Sequence, residues 1–362
     1  MTKEGFNFSA GPAMLPESVL LALQEANVNC ENSGYSVFEL GHRTSTFMAI
    51  LEEAQRRLRG LLSIPDDFDI LFVPGGASLQ FSAVALNMCT RGCHGAYILT
   101  GLWSRLAYEE ANRISRALIL WNGDPTRLPR DPIVLPRGTD YVYYCDNETV
   151  DGKEFSSLPP VVEKGQSFFV SDVSSNFLTK YIDWALHDCV FASLQKNVGI
   201  AGACVVIVRR SCYSSIGEQV PQLLNWKSVA EANSVLNTPP TVAIYATLLM
   251  LRWLEKEGGV DQMAKRATLR SERLYDVLDS YPEFYLTDVQ AVARSRMNVV
   301  FHLPTEPLTE LFLAEAQSHG LYNLKGHRSR GGIRASLYNA MPMAGAEALA
   351  SFMQEFAQQH DH

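Results

Sequence analysis

Phe168-Phe169-Val170-Ser171-Asp172 and Val190-Phe191-Ala192-Ser193-Leu194-Gln195-Lys196-Asn197 decide how this chain is read. Each stretch opens as a short apolar run and ends in polar residues. Apolar residues on consecutive rather than alternating positions suit a strand buried on both faces, as in a mostly parallel sheet covered by helices. The first stretch delivers a carboxylate, Asp172; the second delivers an amine, Lys196, 24 positions later (196 − 172). One strand–helix–strand step lies between them. Both therefore fall where such sheets bind ligands, beyond the C-terminal ends of the strands.

Working outward, similar runs recur at 70–73 (ILFV), 96–99 (AYIL), 117–120 (ALIL), 141–144 (YVYY) and 204–208 (CVVIV). Together they predict an α/β fold with a mostly parallel seven-stranded sheet. Helical spacing stands between them, as in Ile50, Leu51, Ala54, Leu58, Leu61 and Leu62. Beyond about residue 256 the pattern changes. A helix is predicted over 262–278, strands at 284–286, 297–301 and 332–336, and a closing helix over 344–356, which together read as a smaller α+β domain. Residues 6–16 fit no element of the first sheet and are expected to pack against this second domain. The predicted division is a large domain over 17–255 and a small domain built from 1–16 and 256–362.

Composition agrees with a two-domain enzyme. The chain has 362 residues, 47% of them hydrophobic, enough for one large core and a smaller one at roughly 150 residues per domain. The net charge of −8 argues against a generally basic, nucleic-acid-binding surface but leaves room for a local basic site. The seven cysteines are odd in number and irregular in spacing. Cys89 and Cys93 beside His94 lack a second ligand pair, so no metal is expected, and reduced thiols in a cytosolic protein are the better reading. The first residues carry no apolar signal region, and no run reaches the ~18 apolar residues needed to span a bilayer. A soluble, cytoplasmic protein is expected.

The residues at the strand ends carry the chemistry. An acid directly after a buried strand is costly unless it is paired. Asp172 is thus a helix cap, half of a structural ion pair, or the partner of a protonated ring nitrogen. Lys196 is a solvated surface lysine or, beside a cationic or apolar neighbour, an amine able to form a Schiff base. Pro74-Gly75-Gly76-Ala77-Ser78 leads from a strand into a helix, where glycines let the backbone approach an anion and the helix start offers free N–H groups. Trp103 is a core residue or a flat wall for an aromatic cofactor.

At this point the sequence resembles the phosphoserine aminotransferase family, a fold-type I, aspartate-aminotransferase-like group. The matching motifs run in order along nearly the whole chain: Phe6-Asn7-Phe8-Ser9-Ala10-Gly11-Pro12-Ala13, Gly41-His42-Arg43, Gly75-Gly76-Ala77-Ser78, Asn147-Glu148-Thr149, Ser171 to Ser175, Gln195-Lys196-Asn197, Asn237 to Thr241, Lys325 to Arg328 and Arg334-Ala335-Ser336. The resemblance implies pyridoxal 5'-phosphate as cofactor, with Lys196 binding it covalently and shuttling the proton. It implies that Asp172 pairs with the pyridinium nitrogen, Trp103 stacks on the ring and Thr149 meets the phenolic oxygen. Ala77, Ser78 and Gln195 are implied to bind the cofactor phosphate, joined by Asn237 and Thr238 from a second subunit, which makes a homodimer with shared active sites. Arg334 is expected to grip the substrate carboxylate as a planar fork, and His42, Arg43, His327 and Arg328 to surround a substrate phosphate.

The implied reaction moves the amino group of glutamate to 3-phosphohydroxypyruvate, giving O-phosphoserine and 2-oxoglutarate; a related phosphorylated four-carbon substrate from vitamin B6 synthesis suits the same pocket. The alternative is another transaminase of this fold, such as the alanine–glyoxylate type, which has no need of the two His-Arg pairs. A cysteine desulfurase would need a late nucleophilic thiol, and no cysteine follows Cys212. A binding protein without catalysis would not need both Asp172 and Lys196. Three departures stand out: the cofactor turn reads Gly75-Gly76-Ala77-Ser78 where other members carry a third glycine; Arg330, read as exposed rather than as an extra anion contact, occupies a position expected to be small and apolar; and Thr44-Ser45-Thr46 replaces a basic residue after Arg43.

Overall fold

The computed structural model describes residues 5–89, 94–162, 165 and 167–361; Cys93, and with it the Cys89–Cys93 pair considered above, lies outside them. The seven apolar runs become seven strands: β1 (Phe68–Pro74), β2 (His94–Ile98), β3 (Ala117–Trp121), β4 (Thr139–Cys145), β5 (Phe168–Asp172), β6 (Cys189–Ser193) and β7 (Ala203–Arg209). They form one sheet in the order β1-β7-β6-β5-β4-β2-β3. Strands β6, β5, β4, β2 and β3 pair in parallel, while β7 runs antiparallel to both β6 and β1. The reversal of β7 follows from its short connection, residues 194–202, because a parallel crossover needs a dozen residues or more.

Alternate residues of each strand enter different cores, which explains why the runs are apolar throughout. On one face Phe72, Val190, Ala192, Val205 and Ile207 pack with α1 (Ser45–Leu62). On the other, Leu71, Val73, Phe191 and Val206 pack with α2 (Ala77–Met88) and α3 (Leu102–Ile114). The α1 face also receives α4 (Thr241–Lys256), which buries Ile244, Leu248 and Leu251. Thr44 caps α1 by accepting the Phe47 amide at 3.2 Å, so the Thr-Ser-Thr departure serves helix initiation.

A separate core gathers α5 (Gly259–Ser280), α6 (Met343–His360) and the antiparallel pair β8 (Asn298–Phe301) and β9 (Ile333–Ser336). Phe6–Asn7 adds a short parallel pairing to Leu321–Tyr322, and Phe8 is buried in the same core. The strand expected at 284–286 does not form. Phe284 and Tyr285 instead close a turn onto the Tyr281 carbonyl at 3.1 and 2.8 Å, and only Leu286 bridges to His302. Their apolarity serves the core from a turn, and a three-residue run carries no periodicity to separate the two cases.

Among the described residues, no helix is long and apolar enough to cross a membrane. Phe191 is fully buried in β6, with its ring centroid 6.4 Å from that of Phe81 and 6.2 Å from that of Tyr143. Phe191→Ala is expected to cost roughly 3–5 kcal/mol, read as a lowered urea midpoint. A midpoint unchanged from the unmutated chain would show that the sheet centre tolerates the cavity.

Candidate active site

Five strands end at one cleft of about 250 Å³. β1 leads into Gly75, whose φ of +86° is open to glycine, and then into α2. β2 leads through Gly101 into α3, β4 into Asn147 and Thr149, β5 ends on Asp172, and β6 runs through Ser193 into the short helix bearing Lys196. The structure brings Ala77, Ser78, Trp103, Thr149, Asp172, Gln195, Lys196, His327 and Arg334 together in this lining. His42, Arg43, Asn237, Thr238 and Arg328 are not part of it. Arg43, Thr238 and Arg328 are exposed, and His42 keeps a buried Nε2 without a partner.

Asp172 is 4% exposed. Its Oδ1 accepts the Ser174 amide at 2.8 Å, and among the described residues no ion pair neutralises it. Burial pushes its carboxyl above the ordinary value, opposed by the Lys196 charge and the Ser174 bond. The Lys196 ammonium donates to Thr149 Oγ1 at 2.8 Å and lies 5.5 Å from the centre of the Trp103 ring. Trp103 Nε1 is buried without an acceptor. An acid, an amine and a flat aromatic wall thus converge on one cleft, and among the described residues neither the acid nor the amine is in an ion pair.

The Trp103 wall is held from behind. Glu148 accepts the Trp103 and Ser104 amides, both at 2.9 Å, at the start of α3, and Asp151 Oδ2 accepts the Leu102 amide at 2.8 Å. Burial and the neighbouring Asp151 carboxylate push Glu148 up to about 7, against the pull of its donors. Glycine is required at 101, since a Cβ there would come within 2.3 Å of Asp151 Oδ2 and 2.6 Å of Glu148 Cδ. The Asn147-Glu148-Thr149 motif implies a role for Thr149 and none for Glu148. The signal available was an acid just ahead of a position that meets a helix start.

At the α2 start, the Ala77 amide is taken by Ser193 Oγ at 3.1 Å, and a Cβ on Gly76 would come within 3.2 Å of that same oxygen. Ser193 was passed over because nothing in a lone serine after a strand points across the sheet. Arg334 also lines the cleft; it forms no ion pair among the described residues, and its Nε has no partner. Burial lowers its pKa. Arg330, by contrast, is not the exposed extra it was expected to be: it pairs with Asp151 at 3.2 Å and Asp288 at 2.6 Å.

Taken together, the donors fit a flat heteroaromatic ring bearing a cationic nitrogen, an aldehyde and an anionic tail. The Aminotransferase class-V family profile matches residues 5–349, and the chain belongs to that family. It is 41% identical to the phosphoserine aminotransferase of Geobacillus kaustophilus over 98% of both chains. It is 42% identical to that of Dichelobacter nodosus over 99% of this chain and all of the relative. The crystal structure of PLP-bound phosphoserine aminotransferase from Trichomonas vaginalis superposes with a TM-score of 0.92 at 37% identity, covering 97% of this chain and 99% of that one.

The protonation of His327 follows from its contacts. Its Nδ1 lies 2.7 Å from Ser329 Oγ and 3.2 Å from the Ser329 amide; the amide can only donate, and Nδ1 accepts it when the ring is neutral with its proton on Nε2. Burial, then the Arg334 and Arg328 charges, lower its pKa, with Asp151 opposing. A depressed folded value means the folded loop binds the proton less readily than the unfolded chain. Its contribution to stability is therefore whole above the ordinary value of about 6.5 and is lost as pH falls below it. An NMR titration of the His327 ring is expected to give a midpoint below that value; a midpoint above it would contradict the neutral assignment.

Proposed function

We propose that this chain transfers the amino group of L-glutamate to 3-phosphohydroxypyruvate, releasing 2-oxoglutarate and O-phospho-L-serine, with pyridoxal 5'-phosphate as cofactor. The observation that carries this reading is the buried Asp172 in one cleft with Lys196 and Arg334, none of them in an ion pair among the described residues. Full-length relatives at 41–42% identity that bear the phosphoserine aminotransferase name support it, and they do not favour the alanine–glyoxylate alternative.

In this reading Lys196 and Asp172 are the catalytic residues. Asp172 holds a proton at the ring nitrogen, and the charge gained there offsets the cost of its own burial. Trp103 lies on the ring face and keeps water from it, while Thr149 orients the Lys196 amine and donates to the phenolic oxygen. Ala77, Ser78 and Gln195 hold the cofactor phosphate at the α2 start. When bound, the protonated ring accepts the electrons left as the substrate Cα–H bond breaks. Lys196 Nζ would be the base that takes that proton and holds it for return, so one amine would serve both halves of the exchange.

Arg334 binds the carboxylate common to both substrates as a bidentate fork. His327, with its proton on Nε2, supplies a donor for the substrate phosphate, joined by Arg328, His42 and Arg43. Arg328 is exposed beside the cleft rather than in its lining, and His42 and Arg43, like Asn237 and Thr238, are not in the lining of their own chain's cleft. Their use requires a homodimer in which each subunit completes its neighbour's site. We place this enzyme in the cytoplasm with small-molecule substrates, and divide it into a large domain over 17–255 and a small domain from 1–16 and 256–362.

Lys196→Ala is expected to abolish steady-state turnover while the fold and assembly persist; sustained turnover in that variant would falsify the catalytic assignment. The substrate assignment is tested by half-reactions followed through the cofactor absorbance. The amine form is expected to react with the phosphorylated 2-oxo acid in strong preference to its unphosphorylated counterpart. Arg328→Ala is expected to raise KM for the phosphorylated acid by about 10-fold or more, as loss of a charged hydrogen bond implies, and to leave glutamate little affected. Equal losses in both halves would place the phosphate elsewhere.

A further inference from the structure

The turn over residues 326–332 carries His327 into the cleft, and among the described residues its backbone hydrogen bonds close it upon itself. The Arg330 and Gly331 amides both donate to the His327 carbonyl, at 2.9 and 2.8 Å, and the Gly326 amide donates to the Gly332 carbonyl at 2.8 Å. Gly331 and Gly332 sit at φ of +71° and +64°, a backbone that two glycines leave soft. Such a turn needs an outside tether to hold a donor at a fixed distance from a ligand.

Arg330 supplies that tether. Its Nη1 donates to Asp151 Oδ1 at 3.2 Å, and its Nη2 meets both Asp288 oxygens at 2.6 and 2.7 Å. The second oxygen of Asp151, Oδ2, accepts the Leu102 amide at 2.8 Å, in the first turn of the helix bearing Trp103. One carboxylate therefore joins the turn that carries His327 to the helix that forms the wall of the cleft. The Asp151 side chain is 15% exposed and that of Asp288 52%, so the inner contact is the better shielded from solvent. With its charge met by two carboxylates, Arg330 is poorly placed to bind a substrate anion itself.

We propose that Arg330 is a positioning residue for anion recognition: by pinning the 326–332 turn to Asp151 and Asp288, it fixes His327 and Arg328 relative to Trp103 and Lys196. It thereby sets the affinity for the phosphorylated acid rather than the rate of amino transfer. This rests on the activity proposed above.

The test uses holoenzyme carrying Arg330→Ala, Arg330→Lys or Asp288→Asn. Both half-reactions are followed, and the affinity for inorganic phosphate is measured by calorimetry. In Arg330→Ala, KM for the phosphorylated acid and the phosphate Kd are expected to rise together by about 3-fold to 30-fold, the range typical of a coupling contact. The kcat values and the glutamate half-reaction should move by less than about 2-fold. Asp288→Asn, which keeps the Asp151 contact, should give a smaller change of the same kind. Arg330→Lys should recover only part of the affinity, because an ammonium cannot span two carboxylates as a fork.

Equal loss in both half-reactions, or phosphate affinity unchanged in Arg330→Ala and Asp288→Asn, would overturn the proposal. A parent enzyme that binds no phosphate and prefers no phosphorylated acid would instead overturn the activity on which it rests. A parent that does both, with variants indistinguishable from it, would sink the Arg330 role alone.

Discussion

A carboxylate buried at the end of a strand, in no ion pair among the described residues, is the constraint on which this active site turns. Asp172 is supported by Ser174 and by the nearby Lys196 charge, and burial still raises its pKa. Leaving a charge in that state costs folding free energy, and the cost is recovered when a positively charged group enters the cleft. The same reasoning applies to Lys196, whose ammonium donates to the Thr149 hydroxyl and is joined by no carboxylate in an ion pair among the described residues. The two charges share one cleft without forming an ion pair among the described residues. The site is thus stable enough to form and unsatisfied enough to bind.

Holding that cleft open requires rigid walls, and the charges behind Trp103 supply them. Glu148 and Asp151 both face the first turn of α3, where exposed amides and the helix dipole favour negative charge. Two carboxylates so close repel each other, which is part of why Glu148 is pushed up to about 7. Lys153 and Arg330 stand nearby and offset that repulsion. The wall of the cleft and the turn bearing His327 therefore share one electrostatic cluster, although they belong to segments far apart in the chain.

Much of this is legible in the sequence. The seven strands were visible because a strand covered on both faces has no polar side to interrupt its apolar run, as Leu71, Phe72 and Val73 show by alternating between two cores. The strand ends were visible for the same reason: polarity resumes where the cover stops. The failures had equally physical origins. Phe284 and Tyr285 are as apolar as a strand but lie in a turn, with only Leu286 in a bridge, since burial alone does not select a backbone conformation. Arg330 looked like a solvated side chain because nothing local to it reveals Asp151 or Asp288.

What the sequence determined by itself was the layering of the fold and the set of groups delivered to one edge of the sheet, because both follow from short-range patterns of burial. Only the tertiary structure decided which of those groups are paired and which are left open. Arg330 and Asp151 lie 179 positions apart, Ala77 and Ser193 116 apart, yet each pair is in hydrogen-bond contact. Arg334, four residues beyond Arg330, forms no ion pair among the described residues and faces the cleft. Pairing depends on distances set by the packing of whole elements, and side-chain periodicity carries no information about such distances.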